Sequence, residues 1–598
     1  MSFTGAELII HLLEQQGVRI VAGIPGGALL PLYEALGAST KIQHILARHE
    51  QAAGFIAHGM ARLTGKAGVC FATSGPGVTN VITAIADAKL DSIPLVCIAG
   101  QVPRHLMGTD AFQEVPTIDM VRPITKACFL VREASELWRV IPEAFRIAES
   151  GRPGPVLIDV PKDVQMQGAA DPDPHPALPR CAEEGKTSDP FLDPLLRAAG
   201  RRRAGRAGNP PARGEGQGGG SSQSHLFDHA WHLLESAQRP LLYVGGGIVK
   251  SRAHHLVREL AELTQTPVTT TLMALGALPH DHPLNLGMLG MHGARFTNRA
   301  IDECDLLIAI GARFDDRATG RTDRFAPRAQ VVHIDVDTRE LGKLRQPTLA
   351  IASDAGTALN ELIARAHYRH RPAWLERVRH LRETCPLHMP DVEQVCSPYG
   401  IIRAVGNAAP HDAIVTTDVG QHQMWVAQAY PFQRPDRWLT SGGLGTMGFG
   451  LPAAIGAALV RPEATVICFT GDGSLLMNIQ EFATLAELDL NVKIVLLDNA
   501  SLGLVRQQQT LFHRKRLVAS QFSQPANFVG IARAFGIPAL DLETCTAPHG
   551  TLARILNAPG PQLIRVPIGA EQHVLPMVAP GAANIDALDH RIDGEVTS

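Results

Sequence analysis

Two oxygen-bearing side chains follow successive apolar runs in the segment ATVICFTGDGSLLMNIQEFATLAELDLNVKIVLLDN, Asp472 after the first run and Asn499 after the second. The pattern predicts strand, tight turn, helix, strand. A right-handed crossover sets two such strands parallel in one sheet, with their C-terminal ends on the same edge. Both side-chain oxygens can then reach one ion. An all-oxygen set suits Mg²⁺, whose remaining positions are commonly filled by phosphate oxygens. Gly471 and Gly473 let the backbone turn tightly and approach those phosphates. A helix beginning near Ser474 would add free N–H groups and a positive dipole end. The chemistry expected here is a Mg²⁺ ion holding a diphosphate. A plain Gly-Asp-Gly turn, with Asp472 capping the helix, accounts for residues 471–473 alone; it leaves Asn499 unexplained.

Glu50 is the candidate for proton transfer. In ILARHEQAAGFIAHGMAR it precedes Ala52, Ala53, Gly54, Ala57 and Gly59, small residues that predict a helix packed closely on a neighbour. A carboxyl group there is withdrawn from water and suited to exchange a proton with a bound base; the alternative is an acid that only balances the helix dipole. Arg317, in FDDRATG, offers a planar fork that pairs with both oxygens of a carboxylate, or else a surface ion pair with Asp315 or Asp316. VGGG at 244–247 suits a dinucleotide diphosphate and a simple turn equally well. Without a full G-x-G-x-x-G fingerprint a standard NAD site is disfavoured.

These groups need elements to hold them. The chain has 598 residues, too many for one core, so two to four domains are expected. Over residues 1–168 the strand-like runs VRIVAGIP, AGVCFAT, PLVCIAG and GPVLIDVP alternate with helical patterns, the rhythm of a parallel α/β sheet. RPLLYVGGG, DLLIAIGAR and AQVVHIDVD mark a second block at 225–370, and AIVTTDVG, ATVICFTGDG and VKIVLLDN a third at 376–575. Between the first two, residues 169–224 are Pro-rich, then basic, then Gly- and Ser-rich. With no aromatic residues interleaved, they predict a flexible linker rather than a nucleic-acid patch. Residues 576–598 read as a C-terminal lid and polar tail. The fold class expected is α/β, with three doubly wound parallel-sheet domains.

Composition excludes several classes. A formal net charge of −3 gives no reason to expect nucleic acid or an anionic membrane as partner. Nine cysteines without a C-x-x-C pair argue against a disulfide frame or zinc site and for a reducing compartment. The N-terminus does not read as a signal peptide, and no run approaches the roughly 20 apolar residues of a membrane span. The expected location is the cytoplasm.

GDGS, followed after a helix and strand by Asp498-Asn499, combines with RHEQAAG, TSGPGVTN, DVGQHQMW and SGGLGTMGFGLPAAIGAAL. Together these resemble the thiamine-diphosphate enzyme family. That family has Asn-Asn where this chain has Asp498-Asn499; the second residue, the ligand, is kept, and the change alters hydrogen bonding beside it. The resemblance implies Mg²⁺ bound by Asp472, Asn499 and the backbone carbonyl of Ser501. It implies thiamine diphosphate contacted by Glu50, Pro76, Asn80, Val419, Gly420, Gln421, His422, Gly445, Met447, Gly471, Asp472, Gly473, Ser474, Asn499, Ser501, Leu502 and Gly503. Of these, Glu50 would be the proton relay, Val419, Gln421 and His422 would lie near the diphosphate, Gly445 would offer its carbonyl to the aminopyrimidine, and Met447 would bend the cofactor. Two subunits share each cofactor in this family, which implies a homodimer or homotetramer. The three expected domains become pyrimidine-binding, central FAD-binding and diphosphate-binding.

GIPGGALLPLYEAL, GTDAFQE, SGRPGPVLIDVPKDVQ, GMLGMHG and GARFDDRATG narrow the resemblance to acetolactate synthase large subunits, most of all the bacterial isozyme I type. It covers nearly the whole chain except linker and tail. It implies a transferase that decarboxylates pyruvate on thiamine diphosphate and ligates the two-carbon unit to a second 2-ketoacid, in branched-chain amino-acid biosynthesis. Pyruvate as acceptor gives 2-acetolactate; 2-ketobutyrate gives 2-aceto-2-hydroxybutyrate. FAD, not needed for net redox chemistry, would be held by Arg152, Gly245, Gly246, Gly247, Thr271, Leu272, Met273, Leu289, Gly290, Met291, His292, Gly293, Gly311, Ala312, Arg313, Asp315, Arg317, Asp335, Val336, Asp354, Gly442 and Gly443. Gly27, Phe112 and Gln113 would surround the reacting centre, and Arg317 would anchor the second ketoacid's carboxylate. A small regulatory subunit is the implied protein partner. Many members carry Trp where Gln508 stands, and its loss implies weak preference for 2-ketobutyrate. The rival readings are pyruvate oxidase, glyoxylate carboligase (which lacks the acid at the position of Glu50) and a non-catalytic binding protein on the same fold.

Overall fold

The computed structural model describes residues 3–169, 223–590 and 596–597. The linker expected at 169–224 therefore lies, but for its ends, outside the described residues, as does part of the tail. Aliphatic runs such as Leu95–Gln101 and Val492–Asp498, buried at every position, build three six-stranded sheets. Every neighbouring pair within these sheets is parallel. Strands covered by helices on both faces read as continuous apolar runs rather than alternating ones, which is why the runs were recognisable in sequence.

The first sheet runs in the order Gln43–Leu46, Ile20–Gly23, Gly68–Ala72, Leu95–Gln101, Pro155–Pro161, Ala127–Leu130. The third repeats that connectivity with Trp438–Leu439, Ile414–Thr417, Val466–Gly471, Val492–Asp498, Gln562–Pro567 and Ala539–Asp541. The middle sheet runs Asn285–Met288, Val268–Thr270, Pro240–Val244, Leu306–Ile310, Gln330–Asp335, Leu349–Ala352. In each sheet the chain builds first to one side of its starting strand, then returns to build on the other. Connections leaving the two adjacent strands diverge there, and a crevice opens at their C-terminal ends. The crevices lie between Ile20–Gly23 and Gly68–Ala72, between Pro240–Val244 and Leu306–Ile310, and between Ile414–Thr417 and Val466–Gly471.

The small residues after Glu50 serve the packing expected of them. The helix Glu50–Thr64 lies against Gly450–Val460 so closely that a Cβ on Gly59 would stand 2.3 Å from the Ala453 carbonyl oxygen, and one on Gly456 2.1 Å from that of Ile56. The C-terminal segment folds back on the middle unit: Val578 N–H donates to the Met291 carbonyl (2.9 Å) and Asn584 Nδ2 to that of Ala318 (2.8 Å). Among the described residues no helix is long and apolar enough to cross a membrane.

One expectation needs correction. The helix anticipated near Ser474 is a single turn, Asp472–Leu475, and a second helix begins only at Glu481. Between them Asn478 is buried and donates to the Gly448 carbonyl at 2.7 Å, where the chain leaves the helical path. A four-residue turn has little macrodipole, so anion binding there falls to individual N–H groups and side chains.

Candidate active site and cofactor clefts

A cleft opens at the switch point of the third sheet. Its walls carry Val419, Gly420, Gln421 and His422 after the first strand, Gly471, Asp472, Gly473 and Ser474 at the end of the next, and Asn499, Ser501, Leu502 and Gly503 after the third, with Met447 beside them. Gly445, in left-handed conformation at φ 69°, borders it; a Cβ there would stand 3.9 Å from Val419 Cγ1. Trp425, Leu497 and Ile568 also line the cleft; they are ordinary apolar residues and no motif singles them out.

The donor set fits a divalent cation on a diphosphate. Asp472 Oδ1 accepts from Gly473 N–H at 2.9 Å and Oδ2 from Ser501 N–H at 3.0 Å. Asn499 Oδ1 accepts from the Ser501 hydroxyl (3.0 Å), while its Nδ2 donates to Gln421 Oε1 (3.2 Å). Burial, with Asp498 nearby, pushes the Asp472 carboxyl up to about 7, a strain that a bound cation relieves. His422 is buried and its Nε2 has no partner; loss of solvent pushes the imidazole down to about 3. The glycines are required by crowding: a Cβ on Gly471 would come 2.8 Å from His422 Nδ1, and one on Gly503 2.0 Å from Gln421 Oε1.

Asp498, the departure from the family pattern, is buried and accepts from Arg565 Nε at 2.7 Å; the same guanidinium reaches Asp541 at 2.7 Å. A fixed cation thus meets the extra charge. Within the QQQ stretch it is Gln507, not Gln508, that is tied to the cleft: its Oε1 accepts from Gln421 Nε2 (2.9 Å) and Val574 N–H (2.8 Å). Gln508 is half-buried and does not line the cleft.

A second cluster occupies the switch point of the first sheet. Glu50 is 9% exposed, and Asn80 Nδ2 donates to its Oε2 at 2.9 Å. A Cβ on Gly77 would stand 3.5 Å from Glu50 Oε1, one on Gly26 2.4 Å from Thr73 Oγ1, and one on Gly75 2.9 Å from the Gln113 Cα. Glu50, Pro76, Asn80 and Gln113 therefore share one sheet edge with Gly26-Gly27, and Gln113 holds a left-handed φ of 63°, the kind of strain that collects at functional sites. Thr73 Oγ1 and Ser74 Oγ are buried without partners; both belong to TSGPGVTN, where only Pro76 and Asn80 were expected to meet the cofactor.

Glu50 does not line the diphosphate cleft of its own chain, the arrangement implied where two subunits share each cofactor. Two placements fall outside expectation within one chain. Phe112 is 87% exposed. Arg317 is largely exposed and lies 3.4 Å from Asp316, the surface ion pair considered as its alternative.

A third, much larger cleft opens at the switch point of the middle sheet and reaches the first unit. Arg152, Gly246, Gly247, Thr271, Met273, Gly311, Ala312, Arg313, Asp315, Asp335, Val336 and Asp354 line it, all of them among the residues that the resemblance implies for FAD. Gly245 lies behind the wall, where a Cβ would stand 2.4 Å from the Gly311 carbonyl oxygen, and Leu272 is engaged through its carbonyl by Trp438 Nε1 (2.8 Å). The Thr271 hydroxyl is buried without a partner. These glycine walls, the basic Arg152 and that orphan hydroxyl fit a dinucleotide. Two of these carboxylates also have local work: Asp315 caps the turn Asp316–Thr319, and Asp354 caps Ala355–Ile363. Leu289, Gly290, Met291, His292, Gly293 and Arg317 do not line the cleft. They lie toward the C-terminal segment, His292 Nδ1 being 3.1 Å from the Pro576 carbonyl oxygen and Met291 N–H donating to that of Arg317 at 2.8 Å. Gly442 and Gly443 stand beside the cleft rather than in it. Arg62, Asp91 and Lys250, by contrast, do line it; they stand at or near the C-terminal ends of helices whose first turns carry Glu50, Pro76-Asn80 and the 246–247 glycines.

Comparison with known proteins agrees with this architecture. Three parts of the chain match the thiamine pyrophosphate enzyme family: its N-terminal TPP binding domain over residues 3–120, its central domain over 227–362 and its C-terminal TPP binding domain over 418–566. The acetolactate synthase isozyme 1 large subunit of Escherichia coli (strain K12) is 52% identical over 584 residues, which is 98% of this chain and 97% of that protein. The isozyme 2 large subunit of the same organism is 43% identical, covering 98% and 99%. The acetolactate synthase large subunit of Parasynechococcus marenigrum (strain WH8102) is 44% identical, covering 98% and 90%. With likeness running end to end and a diphosphate cradle at the sheet edge where the fold demands one, the chain belongs to the acetolactate synthase large-subunit family of thiamine-diphosphate enzymes.

Proposed function

We propose that this chain is a catalytic subunit that condenses two molecules of pyruvate to 2-acetolactate with release of CO₂, and pyruvate with 2-ketobutyrate to 2-aceto-2-hydroxybutyrate, for branched-chain amino-acid synthesis. The observation that carries this reading is the oxygen cradle of Asp472, Asn499 and Ser501 beside the unpartnered His422. Thiamine diphosphate, when bound, supplies the carbon that adds to the ketoacid carbonyl and accepts the electrons left by CO₂. Asp472, Asn499 and the Ser501 carbonyl would hold Mg²⁺ against its diphosphate. Glu50, fixed by Asn80 through Oε2, moves the proton at the aminopyrimidine ring nitrogen through Oε1. The Gly445 carbonyl would accept from the amino group of that ring, and Met447 would support the cofactor from the cleft wall. Gln113 and Gly27 bound the reacting centre.

In this reading residues 1–168 bind the pyrimidine ring, 225–370 bind FAD, 376–575 bind the diphosphate, and 576–598 form the lid and tail. Glu50 of one copy serves the diphosphate cleft of another. Exposed apolar side chains beside both half-sites, Leu30, Leu46, Phe112, Leu444, Leu476 and Met477, support a homodimer or larger assembly, which would also enclose Phe112 and bring Arg317 its carboxylate. The relatives named as large subunits support a small regulatory subunit as further partner, and the cytoplasm is the proposed location.

The test is product analysis with pyruvate as the sole ketoacid, in the presence of thiamine diphosphate, Mg²⁺ and FAD. The expected products are 2-acetolactate and CO₂; acetate with hydrogen peroxide would overturn the reading in favour of an oxidase. With pyruvate and 2-ketobutyrate offered together, Gln508 in place of a large aromatic is expected to leave the product ratio within about tenfold of the substrate ratio, the low end of what one methylene is worth in a fitted pocket. Stronger selection for 2-ketobutyrate in that competition would assign a dedicated pocket elsewhere.

A further inference from the structure

One irregular loop, residues 441–446, runs between the two cofactor clefts. Near its start Gly442 packs on Met273, a wall of the large cleft, so closely that a Cβ would stand 2.1 Å from Sδ. At its end Gly445 borders the thiamine cleft and Met447 lines it. No helix or strand fixes this loop, and three of its residues are glycine. Its shape is held instead by the last turns of the helix Pro76–Asp91.

Two buried carboxylates make the hold. Asp87 Oδ2 accepts from the Ser441 hydroxyl at 2.5 Å and the Thr446 hydroxyl at 2.7 Å, and Ser441 Oγ accepts in turn from Thr446 N–H at 2.9 Å. Asp87 therefore pins both ends of the loop with one oxygen. Its other oxygen lies 3.7 Å from His58 Nδ1, a ring enclosed edge-on by Phe449. Asp91, one turn along on the same helix face, accepts from Gly442 N–H at 3.1 Å and Gly443 N–H at 2.7 Å, and pairs with Arg62 at 2.5 Å. Arg62 and Asp91 both line the large cleft.

We propose that Asp87 and Asp91 are positioning residues that lock the 441–446 loop, and that through this lock a ligand in the large cleft tightens thiamine diphosphate binding. The inference rests on reading the large cleft as the FAD site. Met273, Asp91 and Arg62 line that cleft, so FAD filling it would pack on them and immobilise the side of the lock that faces it. The conformational entropy of ordering the glycine-rich loop is then spent in the first binding event, and thiamine diphosphate meets Gly445 and Met447 already in place. Linkage of this kind is positive and reciprocal.

The experiment titrates flavin-stripped full-length protein with thiamine diphosphate and Mg²⁺ by calorimetry, with and without saturating FAD. FAD occupancy is read independently from its visible absorbance. Wild-type protein is expected to bind thiamine diphosphate about fivefold or more tightly when FAD is present, within the usual range of coupling between sites. Ser441→Ala and Asp91→Asn are expected to bind both cofactors with that gain reduced to below about twofold, and Ser441→Thr, which keeps the hydroxyl, to restore it. Amide exchange at 441–447 should rise in Ser441→Ala while that around Asp472 stays unchanged. Equal coupling in wild type and variants, or no coupling in wild-type protein that binds both cofactors, would overturn the proposal alone. Failure of wild-type protein to bind FAD would overturn the reading of the large cleft and the proposal with it.

Discussion

Glu50→Gln is expected to leave the fold and cofactor binding in place and to lower pyruvate turnover by about 10²- to 10⁴-fold, the range that a positioned proton-transfer group contributes. The substitution is nearly isosteric. A Gln carbonyl can still accept the 2.9 Å hydrogen bond that Asn80 Nδ2 gives to Glu50 Oε2, so the first turn of the helix Glu50–Thr64 has no reason to shift. What disappears is the second oxygen, the one beside Gly77, which becomes an amide nitrogen that cannot cycle a proton. Steady-state kcat at saturating cofactors measures the loss, and calorimetric affinity for thiamine diphosphate serves as the control. Turnover within threefold of wild type would remove Glu50 from the chemistry and leave it as a helix-start acid.

The two halves of the proposed thiamine site were legible in sequence for different reasons. Asp472 and Asn499 are separated by a single strand-turn-helix-strand unit, and the rule that parallel neighbours end on one edge brings them together without knowledge of the rest of the sheet. The small residues after Glu50 announced a close helix contact, and the helix Gly450–Val460 supplies it. Long-range contacts defeated other readings. LLMNIQEF carries no sign of a break, yet a buried bond from Asn478 to Gly448, 30 residues away, ends the helical turn. Asp315 and Asp354 precede helices, where one residue type serves as cap or ligand; both cap their helices and both also line the large cleft. Arg62, Asp91 and Lys250 reach the large cleft from the C-terminal parts of helices whose motif residues lie in their first turns. Arg317 and Phe112 lie open to solvent in one chain, as groups do whose proposed partners belong to another copy or to substrate.

Asp472→Asn is expected to abolish the stabilisation that Mg²⁺ and thiamine diphosphate confer together, with a fall of at least about 10³-fold in kcat/KM, since removing this ligand removes both cation binding and the orientation it gives. The metal-free protein should hardly notice. Burial already works against the charged form of this carboxyl, pushing it up to about 7, so exchanging it for a neutral amide relieves a cost while disturbing one of the two N–H contacts from Gly473 and Ser501. These opposing effects leave the unliganded variant close to wild type. The difference emerges on titration. For wild-type protein, ligand at a hundred times its Kd adds about 2.7 kcal/mol of stability, read as a rise in Tm that requires Mg²⁺ and thiamine diphosphate together. In Asp472→Asn the Asn499 and Ser501 oxygens remain, but they carry no formal charge, and two neutral oxygens do not compensate a hard dication for the water it must shed. The variant should therefore melt at the same temperature with and without the cofactors. A full wild-type shift in Asp472→Asn would mean that the cation is held elsewhere, and Asp498, whose charge already answers to Arg565, would not be the residue to take its place.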